Sequence, residues 1–173
     1  IQAYDAYDLS KGDSTIIIGI LDTGIDLDHE DLIDNIAYNY NDSINGIDDD
    51  NDGFKDNFRG WDLGENDNNP QVTIDPSVDG RNHGIHVSGI AGATANNNVG
   101  ITGVGYRCKI LPVKISNDRG NLTHSYEGIV CAADHGCKII NCSWGNKYYN
   151  PYAEDVINYA VFNRGALIVA AAG

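Results

Sequence analysis

Short apolar runs alternate with helix-like segments along the chain, and this alternation constrains the fold more than any other feature. The predicted strands lie at residues 15–21, 36–40, 109–115, 138–143 and from 166 onward. The predicted helices lie at residues 1–8, 83–94, 125–135 and 152–163, with a brief helical turn near residue 28. Strands that alternate with helices predict an α/β fold, with a doubly wound, mostly parallel sheet and helices on both faces.

Three residues of chemical interest lie at the ends of predicted strands, namely Asp22, Ser143 and Gly173. Ligands and catalytic groups collect at the carboxyl ends of the strands in such sheets, because the connecting loops converge there. This edge is therefore the predicted functional site. The polar stretch at residues 41–80 is predicted to be a loop inserted into one domain that covers residues 1–173.

The chain is strongly acidic, with 25 Asp and Glu residues against 11 Lys and Arg residues and a formal net charge of -14. This charge argues against nucleic acid or an anionic membrane as a partner. No apolar run is long enough to span a bilayer. The four cysteines lie in or beside apolar stretches, which favours buried thiols over a disulfide framework.

The acidic residues are concentrated between Asp48 and Asp67, where eight of them occur, and this clustering favours a local cation site. Residues 48–53 alternate as Asp-x-Asp-x-Asp-Gly, a pattern that directs carboxylates at one centre while glycine allows a sharp turn. The candidate calcium ligands of this loop are Asp48, Asp50, Asp52 and Asp56. A solvated acidic turn is the alternative interpretation of the same residues.

Asp22 follows an apolar strand and precedes a Thr-Gly turn, an arrangement that suits a carboxylate that orients an imidazole. Taken alone, the Asp-Thr-Gly motif also fits an aspartic protease or a plain strand-end turn. His83, in the first turn of a helix rich in small residues, favours the first interpretation, because a general base pairs with an orienting carboxylate. An aspartic protease needs a second such carboxylate in an all-β setting, and this chain has a single Asp-Thr-Gly.

Two segments resemble motifs of the subtilisin-like serine proteases, in particular the thermitase-like branch. Residues 17–25 (IIGILDTGI) are similar to the aspartate motif of that family, and residues 82–89 (NHGIHVSG) to its histidine motif. The resemblance implies that Asp22 orients His83 and that His83 is the general base. It covers nearly the whole chain but about half of a family catalytic domain, so the nucleophilic serine is expected beyond Gly173. Ile85 and Ser88 replace a usual threonine and alanine.

The same resemblance implies a peptide-binding groove. Residues 113–122 are similar to the family segment that pairs with an extended substrate by β-augmentation. Residues 141–145 are similar to the opposite wall of the groove, and residues 171–173 to part of the adjoining pocket. The residues implied in substrate binding are Gly120, Asn121, Leu122, Ser143, Trp144, Gly145, Ala171, Ala172 and Gly173. Trp144 stands where leucine is frequent, which implies an aromatic face at the pocket.

Further calcium ligands are implied by resemblance. Residues 61–71 are similar to a calcium loop of the thermitase-like branch, and residues 94–101 to another family calcium loop that would be incomplete here. The implied ligands are Asp62, Glu65, Asp67, Asn69 and Gln71 in the first and Asn97 in the second. For the first, a charged surface loop is the alternative interpretation.

The expected function is a secreted or cell-surface serine endopeptidase that uses an Asp-His-Ser triad, with Ca²⁺ as the expected cofactor. The chain as given lacks the serine, and we expect it to be inactive. The expected partners are a polypeptide substrate, a propeptide or inhibitor, and other copies of the chain through an uncovered sheet edge. The alternative function is a non-catalytic, calcium-stabilised peptide-binding module.

Overall fold

The computed structural model describes residues 2–73 and 75–172 and is built around a parallel five-stranded sheet. Its strands are β1 (Ile17–Asp22), β2 (Trp61–Asp62), β3 (Lys109–Lys114), β4 (Ile139–Cys142) and β5 (Leu167–Ala170). Its helices are α1 (Ala3–Leu9), α2 (His83–Gly92), α3 (Ser125–Asp134) and α4 (Pro151–Asn158). A short 3₁₀-helix (Ile33–Asn35) lies between β1 and β2, and a π-helical turn (Tyr159–Asn163) continues α4. The strand order is β2-β3-β1-β4-β5. The predicted α/β sheet is confirmed.

Strand β1 lies at the centre of the sheet and pairs in parallel with β3 on one side and with β4 on the other. Its side chains alternate between the two faces, as a strand requires. Ile18 and Ile20 join a core cluster with residues of α2, whereas Leu21 joins a second cluster with residues of α3 and α4. Helices therefore cover both faces of the sheet, as predicted.

Helix α3 lies very close to the sheet, and Gly128 makes this approach possible. A Cβ atom at Gly128 would lie 2.6 Å from Cγ2 of Ile115 and 3.2 Å from Cδ2 of Leu21. Both neighbours are fully buried, so neither has free space to move into. The helix is thus held against the end of β1 that carries Asp22.

The prediction of a strand at residues 36–40 is wrong. Only Ile36 makes a ladder contact, a single parallel bridge to Ile110. Beyond it, the rings of Tyr38 and Tyr40 pack against Phe58, with centroid separations of 5.1 and 5.6 Å. The aromatic side chains that favour a strand in the sequence therefore pack on the acidic loop instead.

The long polar stretch at 41–80 contributes one element that the sequence did not predict. Strand β2 lies within it and pairs with the end of β3, in the register Trp61↔Val113 and Asp62↔Lys114. It is only two residues long, so it carries no detectable period. The remaining described part of this stretch is loop, turn or isolated bridge, as expected.

The four cysteines are buried free thiols, as predicted. Burial raises the pKa of Cys131 and of Cys142 to about 12, which leaves these thiols protonated at neutral pH. At the far edge of the sheet, β5 exposes Leu167 and Val169. Within the described residues, we find no helix with the length and apolar character needed to cross a membrane.

We expect Gly128→Ala to lower the free energy of unfolding by about 1–3 kcal/mol, because the added methyl group overpacks a filled core. Urea denaturation monitored by circular dichroism measures this change. Gly89→Ala in α2 is the matched control, since its Cβ would meet its nearest neighbour, Cδ1 of Ile101, at 3.6 Å. There we expect a gain of up to about 1 kcal/mol from helix propensity. Equal effects of the two substitutions would contradict this account of the packing.

Candidate active site

Strand β1 carries Asp22 to the carboxyl edge of the sheet as its last residue. The Asp22 side chain is only 5% exposed, so its charge requires hydrogen-bond donors. The backbone N–H of Thr23 donates to Asp22 Oδ1 at 2.8 Å. This backbone hydrogen bond fixes the orientation of the Asp22 carboxylate. A carboxylate with a fixed orientation can in turn orient a second side chain.

The start of α2 is locked against the turn that follows Asp22. Thr23 Oγ1 donates to the carbonyl oxygen of Arg81 at 3.0 Å and accepts from the backbone N–H of Gly84 at 3.1 Å. A side chain at Gly84 would collide with the carbonyl oxygen of Gly24. Glycine at position 84 therefore allows the first turn of the helix to approach β1 closely.

His83 begins α2, in the first turn as predicted, and its ring contacts Asp22. His83 Nδ1 lies 2.8 Å from Asp22 Oδ1 and 3.0 Å from Asp22 Oδ2. A carboxylate at Nδ1 favours the tautomer with a proton on that nitrogen, which leaves Nε2 as the basic nitrogen. The His83 side chain is 48% exposed. The pair can therefore take a proton from a group that approaches from solvent.

The predicted groove residues lie at the same edge of the sheet. Residues 116–122 form a tight hairpin after β3, closed by a bridge between Ser116 and Leu122. Ser143 follows β4, where its hydroxyl accepts from the Asn141 side chain at 2.9 Å. On the other wall, the ring of Trp144 packs edge-to-face on Tyr126, with centroids 5.8 Å apart.

The end of β5 lies beside this second wall. The backbone N–H of Ala171 donates to the carbonyl oxygen of Cys142 at 3.1 Å, and the Ala171 carbonyl oxygen lies 3.8 Å from a Cβ built on Gly145. Ala172 is exposed, and Gly173 lies outside the described residues. The geometry thus brings residues 143–145 next to residues 171–172, as the sequence-based interpretation requires.

The acidic loop brings three carboxylates together. Oxygen atoms of Asp42, Asp48 and Asp50 all lie within 4.8 Å of one another. Asp42 is fully buried and was missed in the sequence, although it lies six residues before the Asp-x-Asp pattern. Like charges at this separation repel, so the group suits a divalent cation.

Asp52 and Asp56, the other predicted ligands of this loop, have different contacts. Asp52 Oδ2 lies 2.8 Å from His135 Nε2, at the end of α3. Asp56 Oδ1 accepts from the backbone N–H groups of Asn45 and Gly46, both at 2.8 Å. These hydrogen bonds lower the pKa of Asp56, and the bond from Asn45 has the largest effect. Both side chains organise the loop around the three converging carboxylates.

The residues predicted to bind calcium at 62–71 do not converge on a common centre in the described chain. Asp62 Oδ2 accepts from Lys114 Nζ at 2.6 Å, a contact that the sequence analysis did not foresee. Burial raises the pKa of Asp62, and the hydrogen bond from Lys114 opposes that shift. Gln71 Oε1 accepts from the backbone N–H of Leu27 at 2.9 Å. Asp67 Oδ1 accepts from the backbone N–H of Asn69, and Glu65 is exposed.

Asn97 has a partner that the sequence analysis also missed. Its side-chain nitrogen lies 2.7 Å from Oδ1 of the buried Asp31, and Asp31 Oδ2 accepts from the backbone N–H of Ile101 at 2.9 Å. Asp31 therefore contacts both the Asn97 side chain and the backbone of the turn at residues 97–101. Asp31 lies two residues after His29 in a polar turn, and nothing in its spacing links it to Asn97.

A comparison with protein families agrees with this geometry. The model of the subtilase family matches residues 13–173. This chain belongs to the subtilase family. Thermitase from Thermoactinomyces vulgaris is 35% identical over 175 residues, which cover 100% of this chain and 52% of thermitase. The halolysin-like extracellular serine protease Nep of Natrialba magadii is 33% identical over 175 residues, covering 100% of this chain and 28% of Nep.

A solved protease structure shares the fold. A protease from Pseudoalteromonas arctica superposes with a TM-score of 0.74 at 26% identity, covering 97% of this chain and 52% of that protein. This subtilase chain therefore spans about half, or less, of the length of the relatives to which it is similar.

We expect Thr23→Val to lower the free energy of unfolding by about 1–3 kcal/mol, because it leaves the buried N–H of Gly84 without its acceptor. Chemical denaturation measures the loss. Thr23→Ser keeps the hydroxyl and is the matched control, for which we expect most of the stability to remain. If the two variants lost the same stability, the hydroxyl would not be the link between α2 and β1.

Proposed function

We propose that this chain is the first part of a subtilase serine endopeptidase domain, in which Asp22 and His83 form two thirds of a catalytic triad. The contact between His83 Nδ1 and Asp22 at 2.8 Å is the observation that carries the proposal. The third member is a serine outside the 173 residues. Asp before His before Ser is the chain order of subtilisin-type triads.

The geometry supports a division of roles. His83 Nε2 removes the proton from the serine hydroxyl as it attacks the carbonyl carbon of the peptide bond, and later returns it to the leaving amine. The buried Asp22 holds the ring in the required tautomer and stabilises the imidazolium that forms. Because His83 is half-exposed, a substrate carbonyl and a serine can both reach its free nitrogen.

A polypeptide is the proposed substrate, bound between residues 120–122 and residues 143–145. Leu122 and the edge of Trp144 supply apolar surface on the two walls, and backbone groups of the hairpin supply hydrogen-bond partners for an extended chain. An extended peptide exposes alternating side chains and an unpaired backbone, which suits such a groove.

We expect His83→Ala in the full-length protein to abolish labelling of the serine by a fluorophosphonate and to lower kcat by at least about 10³-fold. Asp22→Asn should lower kcat by about 10⁴-fold, because the wrong tautomer is then favoured. Labelling followed by gel fluorescence, together with peptide hydrolysis, measures both effects. The 173-residue chain alone should show no turnover, since the proposed triad serine lies outside it.

His86→Ala is the matched control for this experiment. His86 lies on the same helix, is exposed, and makes no described contact with Asp22. We expect fluorophosphonate labelling of the His86→Ala variant to equal that of the unmodified protein. Full labelling and full activity of the His83→Ala variant would overturn the proposed role of His83. No labelling and no hydrolysis by the unmodified full-length protein would favour a non-catalytic peptide-binding module.

We also propose that the acidic loop binds Ca²⁺ through Asp42, Asp48 and Asp50, and that Asp31 and Asn97 contribute to a second calcium site. The converging carboxylates support the first site, and the proximity of the Asp31 carboxylate to the Asn97 side chain, which also carries an amide oxygen, supports the second. Bound calcium would neutralise the mutual repulsion of the acidic groups. Neither site touches the Asp22–His83 pair, so the proposed role is stability.

We expect calcium at about 100 times its dissociation constant to stabilise the protein by about 2.7 kcal/mol, and a chelator to remove that gain. Asp50→Asn should remove the part of the calcium-induced rise in Tm that the acidic loop contributes and leave the part from the second site, measured by differential scanning fluorimetry. Asp8→Asn, an exposed acidic residue in α1, is the charge-matched control and should keep the full response. An unchanged response in Asp50→Asn would contradict the proposed site.

A location outside the cytoplasm, as a secreted or cell-surface protein, completes the proposal. Membership of a family with extracellular members supports it. A propeptide or protein inhibitor that enters the same groove is a proposed partner. The exposed β5 edge, with Leu167 62% exposed, supports self-association of the 173-residue chain through strand pairing.

A further inference from the structure

Lys114 is the last residue of β3, and its side chain is completely buried, which is rare for lysine. Its ammonium nitrogen lies 2.6 Å from Asp62 Oδ2, and the Asp62 side chain is only 2% exposed. A buried charge is tolerated where an opposite charge and further hydrogen bonds compensate its lost hydration. The surroundings of Lys114 meet both conditions.

A second contact of the ammonium group begins a short hydrogen-bond chain. Lys114 Nζ donates to Thr73 Oγ1 at 2.7 Å, and Thr73 Oγ1 donates to Asp118 Oδ1 at 2.9 Å. The other oxygen of Asp62 accepts from the backbone N–H groups of Gly64 and Glu65, at 2.8 and 3.2 Å. Every oxygen of the Asp62 carboxylate therefore already has a donor.

The Lys114 ammonium group conflicts with calcium binding at 62–71, because it already places a positive charge against the Asp62 carboxylate. Calcium takes six to eight oxygen ligands about one centre. Here Asp62 is directed at Lys114, Gln71 Oε1 at the backbone of Leu27, and Asp67 Oδ1 at the backbone of Asn69. Three of the five predicted ligands thus direct a side-chain oxygen at an internal cation or at the backbone of the chain itself.

We propose that Lys114 is the resident cation of the loop at residues 62–73, in the place of a calcium ion. The ammonium group supplies from β3 the positive charge that Asp62 needs, and it fixes both ends of the loop through Asp62 and Thr73. The same loop also contacts the segment after Asp22. There the backbone N–H of Ile25 donates to the carbonyl oxygen of Pro70 at 3.0 Å. The loop beside the candidate catalytic pair is therefore ordered without calcium.

The test is a calcium titration of the chelator-treated full-length protein by isothermal calorimetry, with Glu65→Gln and Asp67→Asn as the variants. Both residues are exposed, and asparagine at 67 keeps the side-chain oxygen that accepts from Asn69. We expect the number of bound calcium ions to be unchanged and each dissociation constant to shift by less than about twofold. Loss of one ion, or binding weakened by about tenfold, would overturn the proposal. Asp50→Asn serves as the positive control for the titration.

A second measurement tests the ammonium group directly. In a calcium-free buffer, Lys114→Met should lower Tm strongly, because it leaves the Asp62 carboxylate buried and unpaired. Asp62→Leu combined with Lys114→Met should restore much of the loss. Lys109→Met, in the same strand, should change Tm little because its ammonium group is exposed. A Tm of Lys114→Met equal to that of the unmodified protein would overturn the proposal, and if this variant does not fold, the calorimetry decides.

Discussion

The hydrogen bond between the buried carboxylate of Asp22 and the ring of His83 is the interaction on which the functional interpretation depends. The carboxylate lies at the end of the central strand, where burial makes an unpaired charge costly. The backbone N–H of Thr23 and the imidazole of His83 both contact the Asp22 carboxylate and compensate its buried charge. Gly84 and the Thr23 hydroxyl then hold α2 close enough for that bond to form.

Charge is distributed in two different ways around this pair. In the acidic loop, carboxylate oxygens of Asp42, Asp48 and Asp50 lie within 4.8 Å of one another, the arrangement on which the proposed calcium site rests. Next to the sheet, Asp62 meets a lysine that belongs to the neighbouring strand. Two acidic segments that look alike in the sequence therefore have different surroundings, because Asp62 lies against β3.

Much of the fold follows from local pattern. Alternating apolar strands and helices predicted the parallel sheet, and the Asp-Thr-Gly and Asn-His-Gly segments led to the pair at its edge. The prediction failed at residues 36–40, where Tyr38 and Tyr40 pack on Phe58 rather than in a ladder. Strand β2 was missed because two residues carry no periodic signal.

The sequence by itself determined the fold class, the order of the chemical groups along the chain and the family motifs around Asp22 and His83, because these depend on residue type and short-range spacing. Only the tertiary structure decided which distant acids meet. Asp42 joins Asp48 and Asp50, Asp31 meets Asn97, and Asp62 pairs with Lys114 across 52 residues. Such partners are set by strand register and helix packing, and no local pattern encodes them.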